Sequence, residues 1–91
     1  MSRSNTVFIG RKPVLNYVLA YMTLFKSGQE EVLVKARGRS ISTAVDVVEV
    51  MRNRFMTDLN IGDITIGTEE LTSPDRNQPT NVSSIEIKLH R

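Results

Sequence analysis

Ninety-one residues at 10.3 kDa make one domain's worth of chain, and folding a chain of that mass hides only about 64% of its surface, so a thin core completed by oligomerisation is expected. There is no cysteine and only one histidine, His90, which excludes disulfides, zinc–thiolate sites and thiol catalysis and leaves little for imidazole chemistry. The net charge of +2 hides an asymmetry: residues 1–45 carry seven Lys or Arg against two Glu, whereas residues 46–91 carry five against eight acids.

Thr6–Gly10 is a short β-rich run closed by glycine and predicts the first strand. Pro13 opens a helix at the first-turn position where proline is tolerated. That helix carries two apolar stripes, Leu15, Val18, Leu19, Met22 and Phe25 beside Val14, Tyr17, Tyr21 and Leu24. The combined surface is wider than one sheet-packed helix face needs. Gly28 supplies the left-handed stop. Val32–Arg37 alternates, with Val32, Val34 and Ala36 on one side and Leu33, Lys35 and Arg37 on the other, as a strand does.

Gly38 breaks that strand, and Ser40 or Ser42 is placed to cap a second helix. Ile41, Ala44, Val45, Val48, Met51 and Phe55 fit its apolar stripe, with Asp46, Glu49 and Asn53 outward. Ile61–Leu71 is β-rich, with Gly62 and Gly67 marking a bulge or a close backbone approach. Ser83–Arg91 sets Ile85, Ile87 and Leu89 opposite Ser84, Glu86, Lys88 and His90. Thr72–Asn81 has no apolar side chain and is expected as an exposed arm. The order β-α-β-α-β-β, without repeat or linker, predicts one domain over residues 1–91 in the α/β class.

Two basic segments sit where a strand hands over to a helix: Gly10-Arg11-Lys12-Pro13 and Lys35-Ala36-Arg37-Gly38-Arg39-Ser40. Right-handed crossovers place the first two strands parallel, so both turns emerge at the same end of the sheet. No acid precedes Glu30, and none is near either turn in sequence. A helix start adds free N–H groups and partial positive charge, and arginine grips phosphate oxygens with a planar fork. An anion or nucleic-acid site is therefore expected there. Tyr17 reads either as a helix-packing aromatic or as a stacking residue beside the basic turn, and Phe55 either as core or as a subunit contact. No metal cluster, cofactor motif or nucleophile–base pair is visible, so no metal, cofactor, small-molecule substrate or enzyme activity is expected. No run is long and apolar enough to span a membrane, and Met1–Thr6 is too short and polar for a signal peptide, so the chain is expected to be cytoplasmic.

Ile9-Gly10-Arg11-Lys12-Pro13-Val14-Leu15-Asn16-Tyr17-Val18 resembles the signature of the archaeal chromatin proteins called Alba. Val34-Lys35-Ala36-Arg37-Gly38-Arg39-Ser40-Ile41-Ser42, then Ala44-Val45-Asp46, matches a second block of that family. Arg52-Asn53-Arg54-Phe55 and Ser83-Ser84-Ile85-Glu86-Ile87 match two more, so the resemblance runs from about Thr6 to Leu89. It implies an α+β sandwich of two helices on a mixed four-stranded sheet, like the C-terminal domain of translation initiation factor three. It also implies a homodimer, or a heterodimer with a paralogue, that binds double-stranded DNA with little sequence preference, binds RNA, and coats and compacts the chromosome.

By position, the resemblance assigns nucleic-acid contacts to Arg11, Lys12, Asn16, Tyr17, Arg37 and Arg39, to Arg76 on a β-hairpin arm, and the contact between neighbouring dimers to Phe55. Many family members carry lysine at both paired positions, and acetylation of the first is proposed to weaken binding. Arg11 stands at that first position and has no amine to acetylate, which leaves Lys12 as the candidate for modification. The arm is weakly basic, since its only cation, Arg76, lies beside Asp75. Two alternatives rank below chromatin binding: an RNA-binding subunit of an RNA-processing ribonucleoprotein, and a protein-interaction scaffold that holds an acidic partner.

Overall fold

The computed structural model describes residues 5–72 and 79–91. In chain order the elements are β1 (Thr6–Phe8), α1 (Val14–Lys26), β2 (Glu31–Arg37), α2 (Ser40–Val50), a wide π turn (Met51–Phe55), β3 (Asn60–Leu71) and β4 (Thr80–His90). The strands form one mixed sheet in the order β1-β2-β4-β3. β1 and β2 are parallel, and β4 runs antiparallel to both β2 and β3. Both helices pack on one face, giving the two-layer α+β architecture.

The alternation in β2 decides which face is covered. Val32, Val34 and Ala36 are buried, and their register partners Leu89, Ile87 and Ile85 on β4 continue the same apolar rows. From α1 the core takes Tyr17, Val18, Tyr21 and Phe25, and from the second helical segment Ala44, Val47, Val48 and Met51. Among the described residues no polar or charged residue is buried. Tyr21 is the exception within a side chain, for its buried hydroxyl lies 2.8 Å from the Val7 carbonyl and 2.9 Å from the Leu33 carbonyl. It donates its one proton between them and so stitches the three-residue β1 to β2. Burial pushes the Tyr21 phenol well above the ordinary tyrosine range, against a smaller opposing effect of the hydrogen bond to Val7.

The end of α1 follows from Gly28, whose φ of +104° favours glycine. That turn brings the Gln29 N–H to the Leu24 carbonyl at 3.2 Å and the Gly28 N–H to the Phe25 carbonyl at 3.1 Å, satisfying carbonyls the helix would leave open. Pro13 stands one residue earlier than expected, as the N-cap with an extended ψ of 150°. The second helix departs further from the expected pattern. Its N-cap is Arg39, and neither Ser40 nor Ser42 makes a capping hydrogen bond. Val45 and Phe55, expected on its apolar stripe, are 44% and 47% exposed, and Val47 is buried instead. The inward row is Ala44, Val47, Val48, Met51, which continues as far as helical spacing lasts. Beyond Met51 the chain widens, with the Met56 N–H donating to the Met51 carbonyl at 2.6 Å, and Phe55 is rotated off that row.

β3 carries a register shift between Ile61 and Ile64, at the expected position of Gly62. One extra residue resets the alternation, so Ile61, Ile64 and Ile66 all share the face of Leu89, Ile87 and Ile85. Ile64 and Ile66 nevertheless remain 56% and 77% exposed, because the outer strand lies beyond the cover of the helices. The strands run further into the expected arm than its composition suggested: pairing extends to Leu71↔Thr80, and Asn81 pairs with Glu70. The rest of that arm, with Arg76, lies outside the described residues.

Candidate functional site

Both basic turns leave the sheet at the same end, as the parallel pairing of β1 with β2 requires. The first turn runs from Ile9 to Pro13 and is held from below by Tyr17. Its ring is buried, and its hydroxyl accepts the Gly10 N–H at 2.8 Å and the Lys12 N–H at 3.1 Å. Backbone groups on either side of Arg11 are thus tied to one phenol oxygen, which projects the Arg11 and Lys12 side chains outward. Of the two readings of Tyr17, the packing one describes its place, since only 7% of the residue is exposed. Asn16, next to it in sequence, is exposed.

The second turn is held by the sheet. Gly38 adopts φ +55°, its N–H donates to the Ser83 carbonyl of β4 at 2.8 Å, and its carbonyl accepts the Ile41 N–H at 3.2 Å. Arg37 and Arg39 flank it, both exposed. Neither helix start carries a capping side chain or an acid in its first turn. Each therefore keeps free N–H groups and uncompensated positive dipole beside two cations.

Two open grooves meet at Arg11. One, of about 690 Å³, is lined by Gly10, Arg11, Lys12, Asn16 and Tyr17 among others. The other, of about 500 Å³, runs over the helix-free face of the sheet and includes Arg11, Lys35, Arg37 and Ser40 in its walls. The structure thus brings together Arg11 with Arg37, and Arg11 with Lys12, Asn16 and Tyr17. Arg39 stands exposed at the start of α2 and lines neither groove. Phe55 is exposed at the other end of the same helical segment, about 20 Å along its axis. Arg76 lies outside the described residues.

Sequence proximity suggested a cluster free of acids, and the fold corrects that. Glu69 of β3 lies 3.4 Å from Arg37, and Glu86 of β4 lies 3.2 Å from Lys35. Antiparallel register brings them there: Lys35 pairs with Glu86, and Arg37 pairs with Ser84, whose other neighbour is Gly67, two residues before Glu69. All four side chains are about half exposed, so each pair contributes only about 0–1 kcal/mol and yields readily to a competing anion. Phe8 was the other unforeseen member. It is 68% exposed, on the same face as Lys35, whose ammonium lies 5.9 Å from the ring centroid. The outward position of Phe8 in a three-residue strand was not readable before its register with β2 was known.

Among the described residues, no three or more His, Asp or Glu gather to hold a metal, and no helix is long and apolar enough to cross a membrane. An anion-gripping surface is what the arrangement offers. A family model described as Alba matches residues 5–68. The chain belongs to the Alba family.

The relatives agree over nearly the full length. The chain is 56% identical over 91 residues to a protein of Methanocella arvoryzae named DNA/RNA-binding protein Alba, covering 100% of this chain and 94% of that one. It is 57% identical over 86 residues to DNA/RNA-binding protein Alba 1 of Archaeoglobus fulgidus, covering 93% of each. A solved structure of Alba from Thermoplasma volcanium superposes with a TM-score of 0.87 at 44% identity, covering 94% of this chain and 99% of that one. The two-layer fold is thus the Alba fold.

Proposed function

We propose that this Alba-family protein binds double-stranded DNA and RNA through their phosphates, with little sequence preference, and coats and compacts the chromosome in the cytoplasm. The observation that carries this reading is the pairing of two uncapped, acid-free helix starts with Arg11, Lys12, Arg37 and Arg39 at one end of the sheet. Phosphate contacts position a protein on nucleic acid without reading its sequence. The names of the relatives, which describe them as DNA/RNA-binding, support the same reading. Lys12, exposed in the first turn, is the amine on which a charge-removing modification would act.

The binding unit in this reading is a homodimer. Ile64 and Ile66 on the uncovered part of β3, with Leu15 and Leu19 on α1, provide apolar surface for partners. Phe55 and the cleft between the helices lined by Val14, Leu15, Val50 and Asn53 supply surfaces for contact between neighbouring dimers. Such contacts would turn coating into compaction.

Labelled random duplex DNA in competition with structured RNA of matched length tests the reading. Arg11→Glu combined with Lys12→Glu is expected to weaken every sequence alike while leaving the circular dichroism spectrum unchanged. Loss at one sequence only would indicate base readout instead.

A further inference from the structure

We propose that the helix-free face of the sheet binds an unpaired nucleobase of a single-stranded nucleic acid, stacked on Phe8. The proposal rests on the nucleic-acid reading above and goes beyond it by assigning a distinct site to unpaired strands. Phe8 is 68% exposed and stands outside the buried core cluster, so the fold does not need its ring for packing. Its row across the sheet is otherwise polar: Lys35 on β2, Glu86 on β4 and Thr65 on β3.

An aromatic ring set among polar and basic groups on an open sheet is suited to a base. Each nucleobase has a π-face that stacks on an aromatic side chain whatever its sequence, and its backbone follows nearby positive charge. Here Arg11, Lys35 and Arg37 line the same groove. Although Lys35 and Arg37 are paired there with Glu86 and Glu69, both pairs are half-exposed and open to a competing phosphate. The Lys35 ammonium, 5.9 Å from the ring centroid, brings a cation to the aromatic surface itself. Thr65 and Ser84 line the groove as well, and their hydroxyls can donate to or accept from a base edge. A duplex keeps its base faces stacked inside, so the occupant is a single strand. The body contacts made by Arg11 and Lys12 serve duplex and single strand alike, whereas Phe8 serves only the latter.

The test compares Phe8→Ala, Phe8→Leu and Phe8→Tyr with the unsubstituted protein by fluorescence anisotropy. The probes are a short labelled oligouridylate, an abasic strand of equal length and a random DNA duplex, and sedimentation reports the oligomeric state of each variant. Phe8→Leu keeps the apolar bulk and removes the ring, so it stands in if the alanine variant folds poorly. The expected result is a roughly ten-fold loss of oligouridylate affinity in the Ala and Leu variants, recovery in Phe8→Tyr, and unchanged binding of the abasic strand and the duplex. Equal losses on all three probes, no loss on oligouridylate, or a shift in oligomeric state would overturn the proposal. Unsubstituted protein that binds the duplex while Phe8 proves silent removes this site alone. Failure of the unsubstituted protein to bind any of the three probes removes the nucleic-acid reading and this site with it.

Discussion

The guanidinium of Arg37 lies 3.4 Å from the carboxylate of Glu69, so one of the cations at the basic end is already engaged within the protein. A phosphate that binds Arg37 must displace that carboxylate or share the arginine with it. Glu69→Gln removes the competing charge with little change of shape. Affinity for duplex DNA at low salt should rise several-fold, and the gain should fade as salt screens the exposed pair. Thermal stability should move by less than about 1 kcal/mol, as for other half-exposed ion pairs. Titration of wild-type and variant protein at two salt concentrations checks this, and unchanged affinity at low salt would show that Glu69 does not compete.

Tyr17 contributes through its hydroxyl. In Tyr17→Phe the Gly10 and Lys12 N–H groups lose their shared acceptor, and a part-buried N–H left unpaired costs about 1–3 kcal/mol. Each kcal/mol lowers the melting temperature of a domain this size by roughly 4–8 °C. The melting temperature should therefore fall, and duplex affinity should weaken because Arg11 and Lys12 are no longer held outward. Affinity loss without any thermal effect would point to direct contact by the phenol.

Much of this arrangement was legible before the structure. The alternation of Val32, Val34 and Ala36 specified the buried face of β2, and Gly28 and Gly62 marked a helix stop and a bulge through local backbone chemistry. The basic turns could be placed at one end because parallel pairing leaves no other choice. What escaped was long-range. Glu69, Glu86 and Phe8 acquire their neighbours from strand register, which no local pattern encodes. Val47 rather than Val45 lies on the inward row because Ala44, Val47, Val48 and Met51 keep regular helical spacing, and Phe55 leaves that row because the helix widens after Met51. Ser40 resembled a cap by residue type, yet the helix begins on Arg39 without a side-chain acceptor.

In the proposed function, Phe55 is the residue that would separate compaction from coating. It is 47% exposed, so Phe55→Ala should cost well under the ~3–5 kcal/mol of a core phenylalanine. Affinity of an isolated dimer for a short duplex should stay nearly constant. Cooperativity on long DNA should fall, through loss of about 1–3 kcal/mol per contact between neighbouring dimers. Melting curves beside isotherms on short and long duplexes check the three expectations together. A large drop in melting temperature with cooperativity intact would return Phe55 to the core.

Tyr21 gives the fold an alkaline limit. Its phenol is raised above the ordinary value of 10.0 by burial, so the folded state holds its proton more tightly than the unfolded state does. The stability this provides is complete below pH about 10 and is lost as pH climbs from there towards the folded-state value. Tyr21→Phe should lower stability at neutral pH by on the order of 1 kcal/mol, because the proton shared by Val7 and Leu33 is gone. It should also flatten the fall above pH about 10. Chemical denaturation at a series of pH values measures both effects, and an unchanged alkaline slope would assign that slope to other groups.

Dependence of binding on salt tests the phosphate grip most directly. If the protein binds as the proposed dimer with about four phosphate contacts per subunit, log affinity for duplex DNA should fall against log salt with a slope of about −7. The slope should be the same for random sequences of different composition, and it should shrink when Arg11 and Lys12 are both replaced by Glu. A shallow slope combined with strong preference for one sequence would contradict the phosphate grip.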